Sequence, residues 1–168
     1  MQPSDRCTTI IKAWEGIRDG DPTTVNLDAY LCPSGYVTIG WGHVVVVGGE
    51  MLRGHEGLRI AKQVYPDGIT MEQAEALLRA DIESKAVDVE SLLKVEVSQG
   101  EFDALVSFAF NVGNKAFCDS TLARKANAGD MPGACAELSR WTRAGGRELP
   151  GLVKRRAAER ELCERGLQ

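Results

Sequence analysis

Hydrophobic positions recur with helical spacing at the start of the chain. Ile10, Ile11 and Trp14 share one face of a segment that Ser4 or Asp5 can cap, so a first helix is expected to run to about Ile17. The next stretch, RDGDPTTVN over 18–26, is rich in Gly, Pro, Asp and Thr and reads as a loop. The pattern then changes. Residues 27–47 carry β-branched and aromatic residues around a Pro-Ser-Gly turn, the mark of a hairpin or small sheet. Residues 48–69 are glycine-rich and irregular, with a short helical stretch near 56–64.

Helical periodicity returns at Thr70. Thr70 and Gln73 form a capping-box pair at the head of a long helix over 71–93, and Ser98 and Glu101 repeat the device before FDALVSFAFNVG. That segment is apolar almost all round, so it should be buried. Shorter helices are expected at 119–128, 131–141 and 151–164. Strands segregated from helices define an α+β fold. The expected layout is a small β-containing lobe over about 16–70, a connecting helix over about 71–93, and a helical lobe over about 94–168 that also takes the first helix. A cleft between two such lobes is a natural ligand site.

Composition narrows the function classes. With 168 residues, 43% of them hydrophobic, the chain can bury a real core as one compact unit. It holds no internal repeat, and no apolar run nears the roughly 18 residues of a membrane span. The N-terminus lacks a basic region followed by an apolar stretch, so neither a stable membrane anchor nor a secretion signal is expected. The net charge of -4 is uneven: from Arg140 onward eight Lys/Arg face four Glu, which makes that end +4 and the rest -8. A basic end can hold a polyanion, but the acidic whole argues against nucleic acid, and a solvated face of mixed charge explains the same pattern. The five cysteines, at 7, 32, 118, 135 and 163, include no CxxC pair. His43 and His55 are the two histidines, too few for an ordinary zinc hydrolase site, so no metal or cofactor is expected. Reduced thiols are the default for a protein made in the cytoplasm, with Cys118, Cys135 and Cys163 packed in the core.

Several residues could carry chemistry. Glu15 closes the first helix, and Trp14 and Ile17 beside it could desolvate it and keep it protonated, as a general acid requires. By position and type alone, a Glu at a helix end is more often solvated. In TIGWGH, residues 38–43, two glycines around Trp41 suggest tight backbone beside a groove where the indole could stack on a sugar; a core aromatic in an ordinary strand fits equally. His43 could be a base or a structural histidine. Cys32, ahead of Pro33-Ser34-Gly35, could be a thiolate nucleophile or an inert thiol.

The string from Glu15 to His43 resembles the phage lysozyme (endolysin) family, glycoside hydrolase family 24. Glu-Gly at the end of the first helix and AYLCPSGYVTIGWGH carry the likeness, with Asp or Cys in the family at the position of Cys32 and Thr at that of Thr38. ITMEQAEALLRADI, FDALVSFAFNVG, the Ser-Thr-Leu of 120–122 and RWTRAGGRELPGLVKRRAAERELC extend it through most of the chain. The resemblance implies a lysozyme-like fold. It implies a muramidase that cuts the β-1,4 bond between N-acetylmuramic acid and N-acetylglucosamine and so lyses bacteria. Glu15 would be the acid, Thr38 would position a water, and a Cys32 thiolate would steer that water or attack the anomeric carbon. Trp41, Phe110, Asn111 and Ser120 would border the substrate, and His43 with Asp81 would form a structural pair. Arg155 and Arg156 would help bind the wall or serve chiefly the fold. The disulfide state of the five cysteines is left open, with Cys7 and Cys163 a pair that could form after export, because the first and last helices pack together in that fold. The implied partner is bacterial peptidoglycan. The protein would be a monomer made in the host bacterial cytoplasm, released by a holin and active in the periplasm.

One departure stands out. Sixteen residues separate Glu15 from Cys32, about twice the family's usual number, which reads as an enlarged loop of a kind that is thermodynamically cheap. Asp19, Asp21 or Asp28 could then assist catalysis. Other classes remain compatible with the residues: an inactive wall-binding or phage structural module, a lytic transglycosylase, or a peptidase or amidase pairing Cys32 with His43 or His55.

Overall fold

The structure, a computed structural model, describes residues 1–165; positions 166–168 of the expected helical lobe lie outside them. The chain forms two compact units, Glu15–Asp81 and a second made of Met1–Trp14 with the chain from Ile82 onward. The division falls inside the long helix α3, Met71–Leu92, instead of at its ends.

Helix α1, Asp5–Glu15, stops two residues earlier than expected because Gly16 takes a left-handed φ of 64°. In the unit that follows, β1 (Tyr30–Leu31), β2 (Val37–Ile39) and β3 (His43–Val44) make an antiparallel sheet in that order. Tyr30 lies opposite Thr38 and Leu31 opposite Val37; on the other edge Thr38 faces Val44 and Ile39 faces His43. The first turn is tight: Gly35 N–H donates to the Cys32 carbonyl at 2.8 Å and Cys32 N–H to the Tyr36 carbonyl at 2.9 Å. A second hairpin, β4 (Val46–Val47) with β5 (Glu50–Met51), begins the stretch expected to be irregular, and the helix expected near 56–64 is α2, Gly54–Val64. Helix α2 covers the sheet face that carries Val37. A Cβ on Gly57 would come within 3.2 Å of Val37 Cγ2.

In the helical unit, α4 (Gln99–Val112) begins with the expected capping box and buries nearly all of its first three turns. It is followed by α5 (Asn114–Cys118), α6 (Thr121–Asn127), α7 (Met131–Glu137), a 3-10 turn at Leu138–Arg140, a hairpin of β6 (Arg143–Ala144) and β7 (Arg147–Glu148), and α8 (Pro150–Arg165). The helix expected over 119–128 begins later because the Ser120 hydroxyl accepts from Ala123 N–H at 2.9 Å and caps α6.

Helices α4 and α8 pack around a buried carboxylate. Glu159 is fully buried and accepts from Ser107 Oγ at 2.7 Å, from Arg155 Nε at 3.1 Å and from Arg156 Nη1. Arg156 also donates to the Trp141 carbonyl at 3.2 Å and to Asn111 Oδ1, and lies 4.9 Å over the Phe108 ring. Arg155 and Arg156 are 3% and 1% exposed, so of the two readings the fold role holds and the wall contacts do not. Charges taken out of water need partners of this kind, and both guanidiniums are engaged within the fold.

The cysteines also differ from expectation. Cys135 and Cys163 form a disulfide that joins α7 to α8, with Cα atoms 5.7 Å apart, well inside the reach of such a bond. Cys163 therefore does not pair with Cys7, whose buried Sγ instead donates to the Asp103 carbonyl at 3.5 Å. Cys118 is exposed and outside the core. Among the described residues no helix is long and apolar enough to cross a membrane.

Two predictions follow from this core. Glu159→Gln leaves two buried guanidiniums on a neutral amide, and urea unfolding should show a loss of about 3–5 kcal/mol. Burial above all, with the nearby negative charges of Asp103 and Glu159, pushes the Cys7 thiol far above its ordinary range, against a smaller opposing effect of Arg155. The unfolded thiol ionises near pH 8.5 or so, so Cys7 contributes fully below that pH and its contribution is lost as pH rises further. Between about pH 9 and 10.5 the melting temperature should fall more steeply for wild type than for Cys7→Ala; equal slopes would contradict this assignment.

Candidate active site

Side chains alternate across a strand, so the pairing register sorts residues by face. Tyr30, Cys32, Tyr36, Thr38 and Val44 share one face of the three-stranded sheet; Leu31, Val37, Ile39 and His43 share the other. Cys32 and Thr38, separated by five residues, thus come onto the same side of adjacent strands. Cys32 is half-buried at the mouth of the turn. Thr38 is 3% exposed, and its Oγ1 is the one buried side-chain N or O atom among the described residues without a hydrogen-bond partner. Buried hydroxyls are normally satisfied, which sets Thr38 Oγ1 apart and leaves it able to hold a water or a ligand group.

Glu15 is half-buried at the last position of α1. Three residues on, Arg18 N–H donates to the Gly40 carbonyl at 3.3 Å, directly after β2. Three residues span at most about 10 Å, which bounds the distance of Glu15 from this anchor. Gly40 itself has φ 62°, and a Cβ there would stand 3.0 Å from Ala74 Cβ on α3, so both conformation and space require glycine. Glu15, Cys32 and Thr38 all belong to the unit Glu15–Asp81.

The expected His43–Asp81 pair is present, with Nδ1 2.9 Å and 3.0 Å from the two carboxylate oxygens. It ties β3 to α3. His43 projects from the face opposite Cys32, and His55 sits on the exposed start of α2, which covers that opposite face. Neither is placed as a base for Cys32, and the thiol-dependent peptidase or amidase has no support in this arrangement.

The other candidates fall differently. Trp41 is 7% exposed and packs as a core aromatic, the other reading of its position in the sequence. Ser120 is 4% exposed, and its hydroxyl donates to the Phe117 carbonyl at 2.6 Å while capping α6, which commits it to the fold. Phe110 is half-buried near the end of α4; Asn111 is exposed there and holds Arg156. The enlarged loop is organised by its own acids. Asp19 Oδ1 accepts from Asp21 N–H at 3.1 Å and Asp28 N–H at 2.9 Å, and Thr24 Oγ1 donates to Asp28 at 2.6 Å. The Thr23 hydroxyl and N–H hold the Asp21 carboxyl below the usual carboxylate range, which unfits it to donate a proton. These acids build turns, a role their short side chains suit.

Sequence reasoning missed Arg53. Its guanidinium lies 4.3 Å over the Tyr36 ring, on the face that holds Cys32 and Thr38. No local signal marks it, because residues 35–37 and 52–54 meet only through tertiary pairing.

Comparison with known proteins agrees with this α+β, lysozyme-like architecture. The chain belongs to the phage lysozyme family, which matches residues 13–159. It is 40% identical over 168 residues to an endolysin of Acyrthosiphon pisum secondary endosymbiont phage 1, covering 98% of this chain and 99% of that one. It is 39% identical over 163 residues to an endolysin of Bacillus phage B103; that match covers 96% of this chain but 54% of the relative, so the chain spans about half its length. Among solved structures, the muramidase domain of SpmX from Asticaccaulis excentricus aligns with a TM-score of 0.73 at 32% identity, covering 96% of this chain and 97% of that one.

The His43–Asp81 pair should be worth about 1 kcal/mol, since both side chains are partly exposed. Asp81→Asn should lower the melting temperature accordingly. An unchanged melting temperature between pH 5 and 7 would mean that the pair holds nothing.

Proposed function

We propose that the chain is a peptidoglycan muramidase, a glycoside hydrolase that cuts the β-1,4 bond between N-acetylmuramic acid and N-acetylglucosamine in the bacterial wall. The observation that carries the reading is the unpartnered, buried Thr38 hydroxyl on the same sheet face as Cys32. In this reading Glu15 donates its proton to the glycosidic oxygen as the bond to the anomeric carbon breaks. A water held by Thr38 Oγ1 attacks that carbon from the opposite side and passes its proton to the Cys32 thiolate. Each hydrolysis leaves one new reducing end. The endolysin and muramidase relatives support the substrate class.

In the same reading the protein acts as a monomer, is made in the host bacterial cytoplasm, and reaches the periplasmic face of the wall through a holin pore; the likeness to endolysins supports action on the wall.

Reducing-sugar release from purified peptidoglycan tests the reading, with wild type and Glu15→Gln compared at equal folded concentration. Wild type should release sugar, and the variant should lose at least about a hundredfold, the scale of a lost general acid. No release by folded wild type would overturn the proposal.

A further inference from the structure

The sheet face that holds Cys32 and Thr38 extends beyond the three strands. Residues 52–54 run antiparallel beside the start of β2: Val37 N–H donates to the Leu52 carbonyl and Gly54 N–H to the Gly35 carbonyl, both at 2.9 Å, and Tyr36 is bridged to Arg53. On the other side of Tyr36, Cys32 N–H donates to the Tyr36 carbonyl. Cys32, Tyr36 and Arg53 therefore form one row across three neighbouring backbone segments, with all three side chains on one face. Neighbouring segments lie about 4.8 Å apart, which separates the Cys32 and Arg53 backbones by about 10 Å. The guanidinium stays within the row because it stacks on the Tyr36 ring at 4.3 Å.

From this row we infer that Arg53 is a positioning residue of the reaction, a cation seated on Tyr36 that supports negative charge on Cys32 Sγ. The inference rests on the role given to Cys32 above. An unperturbed thiol, ionising near pH 8.5 or so, is mostly neutral at pH 7, whereas the thiolate is the form that accepts a proton or attacks carbon. The surrounding charges sharpen the argument. Along the segment that leads into β1, Asp28 accepts from the Thr24 hydroxyl. Tyr30 on β1 and Tyr36 before β2 are phenols, and the β3 residue on this face is Val44. His55, Glu56, Arg59 and Lys62 belong to α2, which covers the opposite face, and Glu56 is paired with Arg59 at 2.6 Å. Glu15 closes α1, within about 10 Å of chain of the Arg18–Gly40 anchor at the far end of β2. Arg18 is anchored through its backbone at the far end of β2. Arg53 is the cation that the strand pairing brings into line with Cys32.

The test measures iodoacetamide alkylation of Cys32 from pH 6 to 9 in wild type, Arg53→Gln and Arg53→Lys, read by peptide mass spectrometry. The exposed Cys118 serves as the internal reference in each sample, while Cys7 is buried and Cys135 and Cys163 are bonded to each other. Arg53→Gln should lower the Cys32-to-Cys118 rate ratio at pH 7 by about threefold and move the Cys32 profile to higher pH, the size of effect one charge exerts at about 10 Å near a surface. Arg53→Lys should keep the wild-type profile. Raising salt on wild type should move the profile in the same direction as Arg53→Gln, which keeps the test available if that variant fails to fold. An Arg53→Gln profile identical to wild type would overturn the inference, as would a loss in Arg53→Lys equal to that in Arg53→Gln. A wild-type profile insensitive to salt would do the same. Alkylation needs no glycan, so its outcome is independent of the reducing-sugar assay that judges the muramidase reading.

Discussion

The register of one small sheet decides which side chains share a face with Thr38. Because side chains alternate with a period of two, a slip of one residue between β1 and β2 would carry Cys32 across to the face that α2 covers. The slip is prevented from both directions. Val37 and Ile39 are fully buried on one side, and the Cys32–Gly35 turn fixes the pairing at the other end. Hydrophobic burial on one face thus holds a polar pair in place on the other.

The helical unit solves a different problem, that of housing charge in a core. Glu159 draws Arg155, Arg156 and Ser107 inward, and Arg156 extends the network to Trp141 and Asn111. This ties α8 to α4 and to the turn after α7. The nearby Cys135–Cys163 bond links α7 to α8 covalently and closes a loop over a sequence separation of 28. In the usual chain-entropy account such a loop contributes about 3–4 kcal/mol through the unfolded state. Much of the basic character read from the last part of the chain is consumed in this way. Arg155 and Arg156 are internal, while Arg160 and Arg165 pair with Glu164 and Glu161 on the exposed side of α8.

The enlarged loop after α1 is similarly self-contained. Its aspartates satisfy backbone N–H groups and threonine hydroxyls, and Asn26 Nδ2 donates to the Asp67 carbonyl at 2.8 Å to tie it to the turn after α2. Extra length between Glu15 and Cys32 therefore need not disturb the site, since Arg18 rejoins the sheet at Gly40 before most of the extra residues begin.

The sequence by itself determined what depends on near neighbours along the chain. Capping boxes and apolar periodicity marked α3 and α4, the Pro-Ser-Gly turn marked the β1–β2 hairpin, and the family pattern picked out Glu15, Cys32, Thr38 and the His43–Asp81 pair. Only the tertiary structure decided what depends on burial and on distant pairing. Trp41 and Ser120 look available in the sequence yet are buried, and Arg155 and Arg156 look like surface cations yet fill a core. Cys163 has equally plausible partners along the chain, and packing of α7 on α8 selects Cys135. Arg53 shows the reason most directly: its place beside Tyr36 rests on backbone hydrogen bonds between segments about seventeen residues apart, closed by the hairpin between them. Such contacts follow from the free energy of the whole fold and leave no local mark in the pattern of residues.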